Sequence, residues 1–200
     1  MSNIAIRYFF IINCNTYAFN VLKYLFPIED NSLAIISCEP FNAKELQQLI
    51  LSRHKSSGLN LNYKGKPEAN ISQLNYSVLF NAYFNFTRGI PGIAMNTWKA
   101  NIIKSGQDSI SIKIPARPNA AMLDHLQEEW LIAIALFIQH KNIDAQKMSR
   151  LINCGAEAAQ RLLLTLKNAG ILVNKTESTY TLGRNIEPFL VELCLTKGII

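Results

Sequence analysis

Two hundred residues, 49% apolar and 17% charged, suffice for one large domain or two small ones and exclude a disordered chain. The formal charge of +6 at pH 7 raises nucleic acid as a partner, yet twelve Lys/Arg stand against six Asp/Glu in residues 1–120, and residues 121–200 hold eight of each. The longest uncharged apolar stretch near a helix pattern, 130–138, falls far short of the ~20 residues that cross a bilayer, and Cys14, Cys38, Cys154 and Cys194 form no Cys-x-x-Cys pair, which argues against zinc and for reduced thiols in the cytoplasm.

Arg7 followed by Tyr8 to Ile12 imitates a signal peptide only faintly, because Asn13 and Asn15 end the apolar run and no small-residue cleavage site follows. The run itself is continuous and β-rich, the pattern of a strand buried on both faces of a parallel sheet, with Asn13 at its C-terminal end. A short helix over 17–25 and a break at Pro27 lead to a second buried strand at 33–36, then Glu39-Pro40-Phe41. Two strands alone do not make a stable parallel sheet. Asn42 caps a helix that runs to Arg53-His54 and stops at Gly58, and residues 60–71, with Lys64, Gly65, Lys66 and Pro67, read as a polar loop. From Gln73 a helical pattern continues through Leu74, Val78, Leu79, Tyr83 and Phe84 to Arg88-Gly89-Ile90-Pro91-Gly92. Pro91 suits the first turn of a further helix carrying Ile93, Ala94, Trp98 and Ile102. Ile110, Ile112 and Ile114 alternate with polar residues as in a half-buried strand, and Pro115 to Asn119 is the best linker in the chain.

The remaining residues read as three helices, a hairpin and a closing helix. Trp130, Leu131, Ile134, Ala135, Phe137 and Ile138 form one apolar face; Asp144 caps a second, short helix with Met148, Leu151 and Ile152; Cys154-Gly155 breaks it. A third helix, 156–169, turns Ala159, Leu162, Leu163 and Leu166 inward, leaves Glu157, Gln160, Arg161 and Lys167 outside, and ends at Gly170. Residues 171–173 and 179–182 make the hairpin, with Lys175 in its loop. The predicted fold is therefore mainly α with small β content (α+β): residual strands over 1–41, a helical region over 42–117, and a winged helix-turn-helix over 120–200.

The succession of strand, Asn13, strand, Pro40-Phe41, the helix ending Arg53-His54-x-x-x-Gly58, the motif Gly89-x-Pro91-Gly92-x-Ala94, a helix carrying Trp98 and a winged helix resembles the C-terminal half of an AAA+ ATPase over nearly the whole chain. The resemblance implies the end of a nucleotide-binding core in 1–41, a helical lid in 42–117 and an appended winged helix. It also implies a sensor-one role for Asn13 and places the sensor-two region at the Gly-x-Pro turn. The departures are specific. The sequence holds no Gly-x-x-x-x-Gly-Lys-Ser/Thr cradle and no apolar run ending in paired acidic residues, Gly92 occupies the sensor-two position with Arg88 four residues early, and no arginine finger follows the helix over 17–25. Asn13 and Arg88 are then vestigial sensors. The implied chain does not hydrolyse ATP alone and takes no cofactor, and it is either the tail of a longer or split ATPase or a degenerate relative.

Structural roles compete at every position. Asn13 and Asn15 suit a turn, Arg53 and His54 a helix C-terminus that favours positive charge, His125 and His140 solvent or caps, and Trp98 and Trp130 packed faces. Gln160, Arg161, Lys167 and Lys175 are the candidates for contact with duplex DNA or a protein partner. The expected function is a non-catalytic AAA+-like C-terminal portion that associates with other subunits or a missing ATPase half. The alternative is a winged-helix transcriptional regulator, against which the neutral charge of residues 121–200 counts.

Overall fold

A computed structural model of the chain describes residues 9–117 and 126–200. Among these, helices predominate: α1 (Thr16–Leu25), α2 (Ala43–Lys55), α3 (Gln73–Thr87), α4 (Pro91–Ala100), α5 (Glu128–His140), α6 (Ala145–Leu151), α7 (Ala156–Asn168) and α8 (Glu187–Thr196). Two small sheets complete a mixed α/β chain. The first takes the order β2-β1-β4-β3 from β1 (Asn60–Tyr63), β2 (Lys66–Pro67), β3 (Ile102–Ser105) and β4 (Ser109–Ile112). The second takes the order β5-β7-β6 from β5 (Ile143–Asp144), β6 (Leu172–Asn174) and β7 (Thr179–Leu182).

The first body is built on a capped helix and a mixed sheet. Asn42 Oδ1 accepts from the backbone N–H groups of Lys44 and Glu45 at 3.0 and 2.9 Å, and Glu45 reaches back to the Asn42 N–H at 2.8 Å. This reciprocal capping starts α2, whose buried stripe is Leu46, Ile50 and His54. β1 pairs antiparallel with β2 through Lys64 and Gly65, both at positive φ as a tight hairpin turn requires, and parallel with β4 in the register Leu61 to Ile110 and Tyr63 to Ile112. Leu61, Tyr63 and Ile112 turn inward into the core with α3 and α4, and Ile110 is buried on the same face of its strand. Trp98 is the hub of this core: Phe80 stacks on it at 6.0 Å, Tyr83 tilts against it at 5.3 Å, and His54 meets it edge-on at 6.0 Å between ring centroids.

The second body gathers α5 to α8 and its sheet around Ile134, Phe137, Ile138, Leu163, Leu166 and Leu190. Asp144 Oδ1 caps α6 by accepting from Lys147 N at 2.7 Å, and Gly170 at φ +76° ends the turn after α7. α1 is joined to this body: Asn15 Oδ1 accepts from Tyr17 N at 2.8 Å, while its Nδ2 donates to the Ile138 carbonyl at 2.7 Å. One asparagine thus starts α1 and satisfies a last-turn carbonyl of α5.

Several expectations need correction. Residues 9–12 and 33–36 belong to no strand, so no remnant of a core sheet exists over 9–41, and Asn13 stands exposed rather than at a strand end. A strand is defined by ladder pairing along its length, and neither run enters either of the two sheets. Residues 60–71 are not a loop: Asn-Leu-Asn-Tyr alternates with period two, and pairing with β4 outweighs its polar composition. Ile102 opens β3 instead of continuing α4, which ends at Ala100. The boundary near 118–120 and His125 lie outside the described residues.

The two bodies and residues 40–41 converge on the turn between α3 and α4. Arg88 and Gly89 both take positive φ (53° and 76°), Gly89 O accepts from Phe41 N at 2.9 Å, and a methyl at Gly89 would lie 2.1 Å from the Phe41 carbonyl oxygen. From the same turn Phe86 packs edge-on against Phe189 of α8 at 5.1 Å between centroids. Gly89→Ala is expected to cost at least ~2 kcal/mol through combined backbone strain and collision, read as a lower denaturant midpoint. Gly92→Ala, whose methyl meets nothing within 4 Å, should change stability by less than ~1 kcal/mol and in the stabilising direction. Equal effects of the two substitutions would refute the close approach.

Candidate functional site

The α7 surface and the α3–α4 turn hold four of the six candidate residues, Gln160, Arg161, Lys167 and Arg88, and Lys175 lies in the β6–β7 turn. On α7, Ala159, Leu162, Leu163 and Leu166 are spent on the core, leaving an outward face of Glu157, Arg161, Leu164, Thr165, Lys167 and Asn168. Arg161 Nη1 lies 3.7 Å from Glu157 Oε2, one turn earlier on the same face, a spacing that partly neutralises the only arginine of the helix. Gln160, expected to face outward, is instead half-buried, with Nε2 3.5 Å from the hydroxyl of Tyr180 on β7. Leu164 is left 40% exposed in the middle of the face. Lys167 and Lys175 are both exposed, the latter in the β6–β7 turn with its backbone N–H donating to the Thr179 carbonyl at 2.8 Å.

Arg88, the second vestigial sensor, closes α3 in the left-handed conformation and pairs its guanidinium with Glu192 of α8. Both side chains are about half exposed, so the pair contributes little stability, on the order of 1 kcal/mol at most. Its effect is to occupy the guanidinium. Asn13 makes no side-chain hydrogen bond among the described residues and does not meet Arg88. Glu192, Glu157, Tyr180 and Asn15 were not among the sequence candidates. Glu157 was legible as an i,i+4 partner and Asn15 as a cap, whereas Glu192 lies 104 residues from Arg88 and no local pattern joins them.

His54 differs most from its expected role. It is 5% exposed, and its Nε2 is buried without a hydrogen-bond partner. Burial pushes its pKa down against a weaker upward pull from Glu68, so it is a neutral core ring and not a positive charge at a helix end. The Tyr63 hydroxyl is likewise buried and unpaired. His140 is also held below the usual histidine value, by burial and by Lys147. Among nucleophiles, burial raises the Cys194 thiol to about 11, which leaves it protonated and inert at neutral pH.

An open cleft of about 310 Å³ lies at the seam of the two bodies, bordered by Phe86, Thr97, Asn101, Pro115, Arg117 and Ile186. No cluster of three or more His, Cys, Asp or Glu side chains suited to a metal occurs among the described residues, and no helix among them is long and apolar enough to cross a membrane. Comparison of the chain with protein-family models, with curated proteins and with solved structures gave no match.

The histidine yields a measurable pH dependence. The unfolded chain takes up a proton at His54 near the ordinary value of about 6.5, while the folded chain resists until lower pH. The stability conferred by the neutral ring is therefore present above about pH 6.5 and lost as pH falls through the depressed folded value. His54→Phe keeps a ring against Trp98 and removes the titrating nitrogen. It is expected to remove part of the fall in Tm between about pH 7.5 and about pH 5.5, and an unaltered fall would assign the titration to another group such as His140.

Proposed function

We propose that the chain is a non-catalytic, AAA+-like C-terminal portion in which residues 42–117 correspond to the lid and 126–200 to a winged helix-turn-helix, and that it acts by holding other polypeptides. The order α5-β5-α6-α7-β6-β7 with sheet order β5-β7-β6 supports the winged-helix reading, α7 being the third helix and the β6–β7 turn the wing. Pro91 at the first position of α4, directly after the Arg88-Gly89 turn, supports the lid reading. ATP hydrolysis is not assigned to the chain, since its sequence lacks a phosphate cradle and Arg88 is engaged by Glu192.

The observation that carries protein contact over DNA contact is the face of α7. A helix that reads a major groove presents unpaired basic and amide side chains to phosphates and base edges. Here the arginine is paired with Glu157, the glutamine leans on Tyr180, and an exposed leucine, Leu164, stands one turn beyond them. Such a mixed apolar and charged surface suits a protein interface. Titration of the full chain with labelled duplex DNA at about 50 and about 200 mM salt should give binding no tighter than the non-specific range of ~10⁻⁴–10⁻⁶ M, and Arg161→Ala with Lys167→Ala should leave it unchanged. Tight binding with a steep salt slope that the double substitution reduces would establish the regulator instead.

A further inference from the structure

Residues 42–117 hold ten Lys/Arg against three Asp/Glu, a net charge of +7 where the whole chain carries +6. The three acids are committed elsewhere than to these cations. Glu45 is taken by the α2 cap, Glu68 turns to the Leu61 N–H at 3.4 Å, and Asp108 lies in the β3–β4 turn, where its carbonyl accepts from Asn60 N. At the opposite end of the sheet, where the parallel strands β1 and β4 finish, the chain places lysines and no acid. The register sets Lys66 of β2 opposite Tyr63, and Tyr63 beside Ile112, so Lys64 and Lys113 each stand one residue beyond that row. Lys104 of β3 faces Ser111, two residues before Lys113 and therefore on the same side of the sheet. All four lysines are exposed, and none is in an ion pair among the described residues. Asp108 is five residues from Lys113, roughly 16 Å along an extended strand. Gathered like charges with no acid between them oppose folding. Lys64 adds a second cost, because it holds φ +52° in a hairpin turn that Asn or Gly occupies more easily, with its Nζ 5.4 Å from the centroid of the Tyr63 ring. Two local rules broken at one place mark a functional surface.

We propose that the lysine end of the β2-β1-β4-β3 sheet binds the phosphate backbone of duplex DNA without regard to sequence. The four lysines span four strands, roughly 14 Å at the usual strand spacing, and meet a backbone that carries one charge per ~1.7 Å of duplex axis. Lysine supplies a point charge and not the bidentate fork that reads guanine, so affinity comes without base readout. A single strand does not fit the surface as well. Every aromatic side chain of 42–117 is buried or half-buried, which leaves no ring free to stack on an unpaired base. Duplex RNA fits less well too, because recognition of its shape spans about 16 base pairs and two successive minor grooves, far wider than this cluster. The assignment is independent of the reading of 126–200, and it gives the two bodies different partners, DNA for the first and protein for the second.

The test titrates the full chain with fluorescent DNA duplexes of about 20 base pairs and two unrelated sequences, across a range of salt. Both duplexes should bind alike, with Kd near ~10⁻⁶ M at about 50 mM salt and near ~10⁻⁴ M at about 200 mM, the steepness expected for about four neutralised phosphates. Lys64→Gln, Lys66→Gln, Lys104→Gln and Lys113→Gln together should weaken binding at about 50 mM salt by ~100-fold and flatten the salt dependence. Removing the same net charge elsewhere, by Lys23→Gln, Lys44→Gln, Lys55→Gln and Lys197→Gln, should weaken it by less than ~5-fold, because those charges act only at long range through screening salt. Lys64→Asn eases the turn, so it should raise the Tm of the free protein while lowering affinity, which separates loss of charge from loss of fold. Equal losses from the two quadruple variants would overturn the assignment, as would undetectable binding at about 50 mM salt or loss of binding on Arg161→Ala with Lys167→Ala. Tighter binding of a single strand, of duplex RNA or of vesicles containing phosphatidylserine would overturn duplex DNA as the occupant.

Discussion

The turn at Arg88-Gly89 is the constraint through which the parts of the molecule are arranged. A left-handed pair of residues reverses the chain between α3 and α4, and the missing side chain at Gly89 lets the backbone of Phe41 approach to hydrogen-bonding distance. Arg88 then points to Glu192, and Phe86, two residues earlier, reaches Phe189. Three segments remote in sequence, 40–41, 86–89 and 189–192, are thereby tied at one point. The ion pair is half exposed and weak, so the steric close approach and the aromatic contact contribute most of the definition, and the ion pair selects orientation.

Charge use follows the same economy. The first body carries the excess of positive charge and the second is neutral, and within the second body the arginine of α7 is paired along the helix and Lys141 is paired with Glu187 at 2.6 Å. Long-range attraction to a polyanion requires cations that are clustered and free. Cations distributed in local pairs favour instead a surface that is soluble and selective towards a protein of complementary pattern. Half of the exposed large apolar residues are concentrated over 9–12, 21–26 and 33–36, away from these pairs, while Leu164 lies on the α7 face beside one of them.

Helices were read from the sequence with small errors because their causes are local. The caps Asn42 and Asp144, the apolar stripes of α2, α3, α5 and α7, Pro91 at the start of α4, and the stops at Gly58 and Gly170 all act within a few residues. The β6–β7 hairpin was legible for the same reason. Strands joined to distant partners were not. β1 reads as loop from sequence because two of its four residues are Asn and Lys64-Gly65-Lys66 follows it, and its pairing with β4 lies almost fifty residues away; β5 is two residues long and is defined only by Tyr180 and Thr179 opposite it. The runs at 9–12 and 33–36 depart in the opposite sense, having the composition of strands yet belonging to neither sheet.

By itself the sequence determined the helices, their caps, the C-terminal hairpin, the absence of a phosphate cradle and the neutral balance of residues 121–200, since periodicity, capping chemistry and composition are properties of neighbouring residues. Tertiary structure alone decided that Asn15 and not Asn13 ties the N-terminal helix to Ile138, that His54 is a neutral ring against Trp98, that Arg88 is taken by Glu192, and that two strand-like runs stand in solvent. Each of these depends on what approaches from far along the chain, and a side chain's charge state, partner or exposure is set by that approach rather than by its own identity.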